Sequence, residues 1–180
     1  EEPIDSPLYV RPIMAPDENG EELVPEDRLA VDLIHHSVKR MFEGENGSAP
    51  TAPSVKIINL SIGDPVRVFH HLMSPMARLL DWLSYKYNVL FIISAGNGSQ
   101  RFPIGCSLTE FKAKGQETIS RFVTKELLSR RLENKIMSPA ESINNLTVGS
   151  IHSDATGSPS LDNRVNPYNC LHPAIYSSFG

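Results

Sequence analysis

Nowhere in these 180 residues is there a run of about 18 consecutive apolar side chains, so no membrane span is predicted. Cysteine is scarce: Cys106 and Cys170 are the only two. They lie too far apart in sequence for a metal knuckle, and two thiols cannot build a disulfide framework. A single bridge is compatible with them, but two free thiols in a reducing compartment fit better. The expected location is therefore a bacterial cytoplasm, with secretion as the alternative. An excess of charge of one sign is missing too: 17 Lys and Arg stand against 21 Asp and Glu, a net charge of -4. That balance argues against a dedicated nucleic-acid binder, which carries a basic patch or stripe. Basic residues do gather over 121–135, but Glu126 and Glu133 interrupt them, as on a solvated helix face. There is no internal repeat, and nothing in the composition asks for a metal or other cofactor. The opening Glu1-Glu2-Pro3-Ile4-Asp5 is acidic, the opposite of the basic start of a signal peptide. With no initiator Met, and an end at Phe179-Gly180 straight after a strand-like run, the chain is expected to be an internal piece of a longer protein.

What is present suits one domain with a real core, since 40% of the residues are apolar. The first 26 residues are rich in proline and acid, with an Asn19-Gly20 turn signal, and predict an irregular lead-in with a short extended piece over 8–13. Leu29, Val31, Ile34, Val38 and Met41 then recur at helical spacing, predicting an amphipathic helix over 26–42 between Pro25 and Gly44. A Gly/Ser/Pro/Ala linker leads into Val55-Lys56-Ile57-Ile58-Asn59-Leu60, a run of strand length and composition. Ser74-Pro75 is an N-cap followed by a first-turn proline, and Met76, Leu79, Leu80, Leu83 and Tyr87 mark one helix face behind it. Val89-Leu90-Phe91-Ile92-Ile93 follows at once as a second strand.

Strand, helix, strand with continuous apolar strands predicts a βαβ unit in a parallel sheet covered on both faces. The fold class is α/β, a three-layer arrangement of a mostly parallel sheet flanked by helices. Ligands in such folds bind at the carboxyl ends of strands. That directs attention to Ser61-Ile62-Gly63 and Ala95-Gly96-Asn97-Gly98. Both segments are too short for a phosphate-binding fingerprint, which argues against a nucleotide-binding domain. Further on, 99–137 reads as a helical insertion with its helix over 118–132, Leu146-Thr147-Val148-Gly149-Ser150-Ile151 as a third strand, 154–172 as a long polar loop, and 174–178 as a fourth short run.

Four local patterns carry a resemblance. Ile57-Ile58-Asn59-Leu60-Ser61-Ile62-Gly63 resembles the subtilase strand that ends in Ser-Leu-Gly, and Val89 through Asn97 resembles the strand that ends in Ala-Gly-Asn. Ser138-Pro139-Ala140 with Asn145-Leu146-Thr147-Val148-Gly149 is similar to the family's Pro-Ala turn and next strand. Tyr176-Ser177-Ser178-Phe179-Gly180 is similar to its Ser-Phe-Ser-Ser-x-Gly run. Four patterns in the family's order make a strong joint signal, covering about half of the chain, mainly 27–98 and 138–180. The resemblance to subtilisin-like serine proteases implies one partial catalytic domain over 1–180. It makes Asn97 the oxyanion donor, and Ser61, Ile62, Gly63, Ala95 and Gly96 substrate-binding residues, Ala95 and Gly96 walling the pocket for the residue before the scissile bond. Taken alone, Asn97-Gly98 reads first as a turn dipeptide, and both segments are compatible with tight exits from strands.

The family's catalytic motifs, Asp-Thr/Ser-Gly, His-Gly-Thr and Gly-Thr-Ser-Met, are absent from the chain. His35-His36 falls mid-helix, with one ring expected to be exposed and the other packed. His70-His71 reads as a solvated loop and His172 as structural. Asp154-Ala155-Thr156-Gly157 has one residue too many for the Asp motif and follows the oxyanion Asn, out of family order. The expectation is a serine endopeptidase segment, inactive alone, whose partners are a peptide or protein substrate and the remaining parts of the same catalytic domain, with neither nucleic acid nor membrane. The alternative is a pseudoprotease or peptide-binding module that keeps the cleft without the chemistry.

Overall fold

The computed structural model describes residues 7–20, 22–98, 103–152 and 172–178. The lead-in forms a small hairpin, β1 (Ala15–Pro16) against β2 (Glu22–Leu23), closed by a turn in which Gly20 N–H donates to the Asp17 carbonyl at 3.1 Å. The extended piece expected over 8–13 is not a strand. Pro12 has no N–H to give a ladder, and the Asn-Gly turn pairs the residues nearest to it instead. Helix α1 spans Ala30–Glu43 and buries Ile34, Val38 and Met41. It begins four residues later than its periodicity suggests, because a turn closed by Arg28 N–H on the Pro25 carbonyl takes up residues 26–28.

Strands β3 (Ile57–Leu60) and β4 (Asp64–Val68) come next, then helix α2 (Pro75–Tyr87) and strand β5 (Leu90–Ser94). The Ser74 hydroxyl caps α2 by accepting from Ala77 N–H at 3.1 Å, and Asn88 in the left-handed region ends it. Two helices follow, α3 (Leu108–Ala113) and α4 (Gln116–Ser129), then β6 (Met137–Ser138) and β7 (Leu146–Val148). The α/β class holds: β3, β5 and β7 form a parallel sheet in that order, with Ile57 opposite Leu90 and Ile92 opposite Leu146. β4 and β6 form a separate antiparallel pair. Residues 174–178, expected as a fourth strand, turn instead, and touch the rest through isolated bridges such as Asn97 with Ser177. Most of the predicted 154–172 loop lies outside the described residues.

One face of the sheet carries the core. Leu60, Phe91 and Ile93 pack against Ile34 and Val38 of α1 and Leu80 and Leu83 of α2. Phe91, Leu80, Leu83 and Ile93 are wholly buried, each contributing about 1.5–3 kcal/mol relative to exposure. Strand alternation sends the neighbouring side chains the other way. There, among the described residues, Ile57 is 61% and Leu146 51% exposed. The 103–138 segment holds a second core of Phe111, Ile119, Val123 and Leu127, started by a capping box between Ser107 and Glu110. Its Cys106 is a free thiol; Cys170 lies outside the described residues.

The turn before β7 is tied to the core by two side chains, Asp81, which accepts from the Ile143 and Asn144 N–H groups, and Asn145. Asn145 Oδ1 accepts from Phe91 N–H at 2.9 Å and from the Ser84 hydroxyl at 2.5 Å, while its amide donates to Ser142 Oγ and to Asp81. Asn145→Ala strands two donors on residues that are buried. Each such loss costs about 1–3 kcal/mol, so urea unfolding of the chain should show stability lowered by about 2–6 kcal/mol with an unchanged slope. A shift below half of that range would show the turn to be held by other contacts.

Candidate active site

Because β3 and β5 are parallel neighbours, their carboxyl ends open side by side. Ser61-Ile62-Gly63 leaves β3 and Ala95-Gly96-Asn97-Gly98 leaves β5 on the same rim of the sheet. The two exits nearly touch: a Cβ placed on Gly63 would lie 3.7 Å from the Cα of Gly96. Ser61 and Gly63 are exposed and Ile62 is half-buried, while Ala95 and Gly96 are buried. Asn97 is exposed, and its side-chain amide has no hydrogen-bond partner among the described residues.

Main-chain hydrogen bonds hold the 95–98 turn from three sides. Ala95 N–H donates to the Val148 carbonyl at 2.9 Å, which extends the β5–β7 pairing by one step. Gly98 N–H donates to the Tyr176 carbonyl at 2.6 Å, and Ser178 N–H donates to the Gly96 carbonyl at 3.1 Å. Met137 N–H donates to the Ala95 carbonyl at 3.0 Å. The backbone on both sides of Asn97 is thus pinned while its side chain stays at the surface. Gly96 takes φ +101°, a conformation open to glycine and strained for other residues.

A cleft of about 280 Å³ runs along this rim, lined by Asn59, Ser61, Ser94, Gly96, Asn97 and the 148–150 and 176–177 segments. Among the described residues that line it, none is Asp, Glu, His, Lys or Arg. Those residues offer neutral hydrogen-bonding groups and main chain, with no general base or ion pair among them. Ser61 Oγ is occupied by donation to Asn59 Oδ1 at 3.2 Å, an arrangement that lacks the adjacent base a serine nucleophile needs.

None of the six histidines lines the cleft. His35 is half-buried beside the Trp82 ring, with centroids 5.8 Å apart, and His36 is exposed on α1. His70 and His71 are exposed, and His152 N–H donates to the His172 carbonyl at 2.6 Å. Asp154 lies outside the described residues. Among the described residues no three His, Cys, Asp or Glu gather as metal ligands, and no helix is long and apolar enough to cross a membrane.

Two residues at this site escape sequence reading. Asn134 is 3% exposed, donates to the Ser177 carbonyl at 3.2 Å, and fills the space that a Cβ on Gly98 would need. Met137 packs against both Gly63 and Gly96. Both come from the 103–138 segment, whose helical periodicity says nothing of where its far end returns. The one nearby signal is Ser138-Pro139-Ala140, immediately after Met137.

Comparison with known protein families matches residues 29–177 to Peptidase S8, the subtilase family. No curated protein and no solved structure gives a significant match. The matched span is wider than the four motifs suggest, for it runs through the helical segment between β5 and β6 as well. It contains both strand ends, the 95–98 turn and the parallel β3–β5–β7 core, and on this ground the chain belongs to the subtilase family of serine peptidases.

Proposed function

We propose that this chain is the part of a subtilisin-like serine endopeptidase domain that supplies the oxyanion donor, Asn97, and one side of the peptide cleft, Ser61-Ile62-Gly63 with Ala95 and Gly96. The observation that carries this reading is the exposed, unpartnered Asn97 amide on the rim that β3 and β5 share. When a serine attacks a peptide carbonyl, negative charge gathers on the carbonyl oxygen. A donor already held in place stabilises that charge without having to reorganise, and the pinned backbone around Asn97 provides the holding. The main chain of 61–63 lies outside the strand ladders, which leaves it able to pair with an extended substrate as an added strand.

The Ser, His and Asp of the triad belong, on this reading, to other parts of the same catalytic domain. The apolar sheet face with Ile57, Leu90, Leu146 and Val148 gives those parts a surface to pack on. The 180-residue chain alone should hydrolyse no casein or peptide library, since it lacks both a nucleophile–base pair and the second oxyanion donor, the nucleophile's own N–H. Turnover by the chain that Asn97→Ala abolishes would contradict this. The full-length protein should be labelled at one serine by a fluorophosphonate probe. Failure to label, with peptide binding retained, would replace the enzyme with a peptide-binding module.

A further inference from the structure

We propose that Asn134 is a positioning residue for the oxyanion donor, fixing where Asn97 stands through the main chain around it. This rests on the reading above, in which the Asn97 amide meets the developing negative charge. Asn97 is exposed and its side chain bonds to no described residue, so its aim depends on the backbone that carries it. That backbone forms an isolated antiparallel bridge, Asn97 with Ser177. Gly98 N–H donates to the Tyr176 carbonyl at 2.6 Å and Ser178 N–H to the Gly96 carbonyl at 3.1 Å. A pairing so short is marginal by itself and needs a third element behind it.

The Asn134 side chain meets both arms of the bridge. Its Nδ2 donates to the Ser177 carbonyl at 3.2 Å, and its Oδ1 lies against Gly98, where an added Cβ would overlap it. The residue is 3% exposed, so the amide has no room to swing. Its orientation is fixed as well. Turned over, it would set Oδ1 against the Ser177 carbonyl oxygen, two acceptors with no proton between them. As it stands, Oδ1 is buried with no donor among the described residues. A buried acceptor without a partner is costly and calls for a reason, since a leucine of similar shape would avoid the cost. The reason is close approach. An oxygen rests about 3.3–3.6 Å from a Cα that turns a hydrogen toward it, whereas a methyl carbon rests at about 3.5–4.0 Å. Leucine would therefore press Gly98 outward by roughly 0.2–0.4 Å and release the Ser177 carbonyl. Asn97, the residue between those two contacts, would move with them.

The test measures kcat, KM and a melting curve for the full-length enzyme on a fluorogenic peptide, with and without Asn97→Ala. A misplacement near 1 Å costs about 10²-fold in rate, so Asn134→Leu should lower kcat by about 10-fold with KM nearly unchanged. In the Asn97→Ala background the same change should alter kcat by less than about twofold, because no amide is left to misplace. Gly98→Ala, whose Cβ would press on Oδ1 from the opposite side, should show the same split and decides the matter if Asn134→Leu fails to fold. Equal losses in both backgrounds would make Asn134 a merely structural residue and overturn the proposal. So would a lowered melting temperature with kcat intact. Both results leave the Asn97 reading standing. An Asn97→Ala enzyme with undiminished kcat removes that reading, and this inference with it.

Discussion

Asn97→Ala in the full-length enzyme should lower kcat by about 10²–10³-fold while KM changes little, a scale borrowed from the related asparagine of subtilisin rather than derived from this structure. The reason for the split lies in timing. The substrate carbonyl carries little charge in the ground state, so losing a donor aimed at the oxyanion costs transition-state stabilisation without loosening the bound substrate. The fold should not notice the change, because Asn97 is exposed and its side chain bonds to no described residue. Steady-state kinetics with an Ala-containing tetrapeptide, together with a melting curve, separate the two effects. An activity loss below threefold, or one that appears wholly in KM, would remove Asn97 from the oxyanion role. A fall in melting temperature to match would recast it as a turn residue.

Gly96→Ala should be strongly damaging for so small a change, lowering stability by about 2–6 kcal/mol. Two separate costs add. The first is conformational: φ is +101°, and holding a side chain in so sparse a region costs about 1–3 kcal/mol. The second is steric: the new Cβ meets Met137 Cγ and Sδ at 2.6 Å and its Cβ at 2.9 Å, and overpacking of this kind costs about 1–3 kcal/mol. Combining Gly96→Ala with Met137→Ala should remove the clashes with Cγ and Sδ while leaving the contact with Cβ at 2.9 Å and the conformational part, so a double-mutant cycle in urea should show partial rescue. Gly63→Ala is the control, since its Cβ comes no closer than 3.4 Å to Met137; it should stay within about 1 kcal/mol of wild type. Full rescue of Gly96→Ala by the second change would show that the backbone bears no strain. Equal damage at 63 and 96 would show that neither the positive φ nor the closer Met137 contact sets Gly96 apart.

The elements legible in the sequence are those whose own residues settle their burial. Phe91 and Ile93 face one core and are wholly buried, and the uninterrupted apolar run from Val89 announces that strand. Helix α2 declares itself by Ser74-Pro75 at its start and by Leu80 and Leu83 at helical spacing. β4 gives no such notice. Its burial is shallow throughout, and Asp64, Pro65 and Arg67 break any alternation; only the main chain of β6, brought alongside by the fold, makes it a strand. The six-residue α3 depends on its Ser107–Glu110 capping box more than on any stripe. β7 stops at Val148, before the predicted end at Ile151, because Ser150 N–H turns to the Ser177 hydroxyl at 3.1 Å instead of joining the ladder.

The same division runs through the site. By itself the sequence determined the α/β class and where the two strand exits lie, the segment with Asn97 among them, because parallel neighbours in one sheet end side by side and their apolar pattern is local. Only the tertiary structure decided what stands against those exits. Met137 against Gly63 and Gly96, and Asn134 against Gly98, arrive from the far end of a helical segment with its own separate core. Where that segment comes to rest depends on the sheet it closes against, and the spacing of its residues carries no record of that contact.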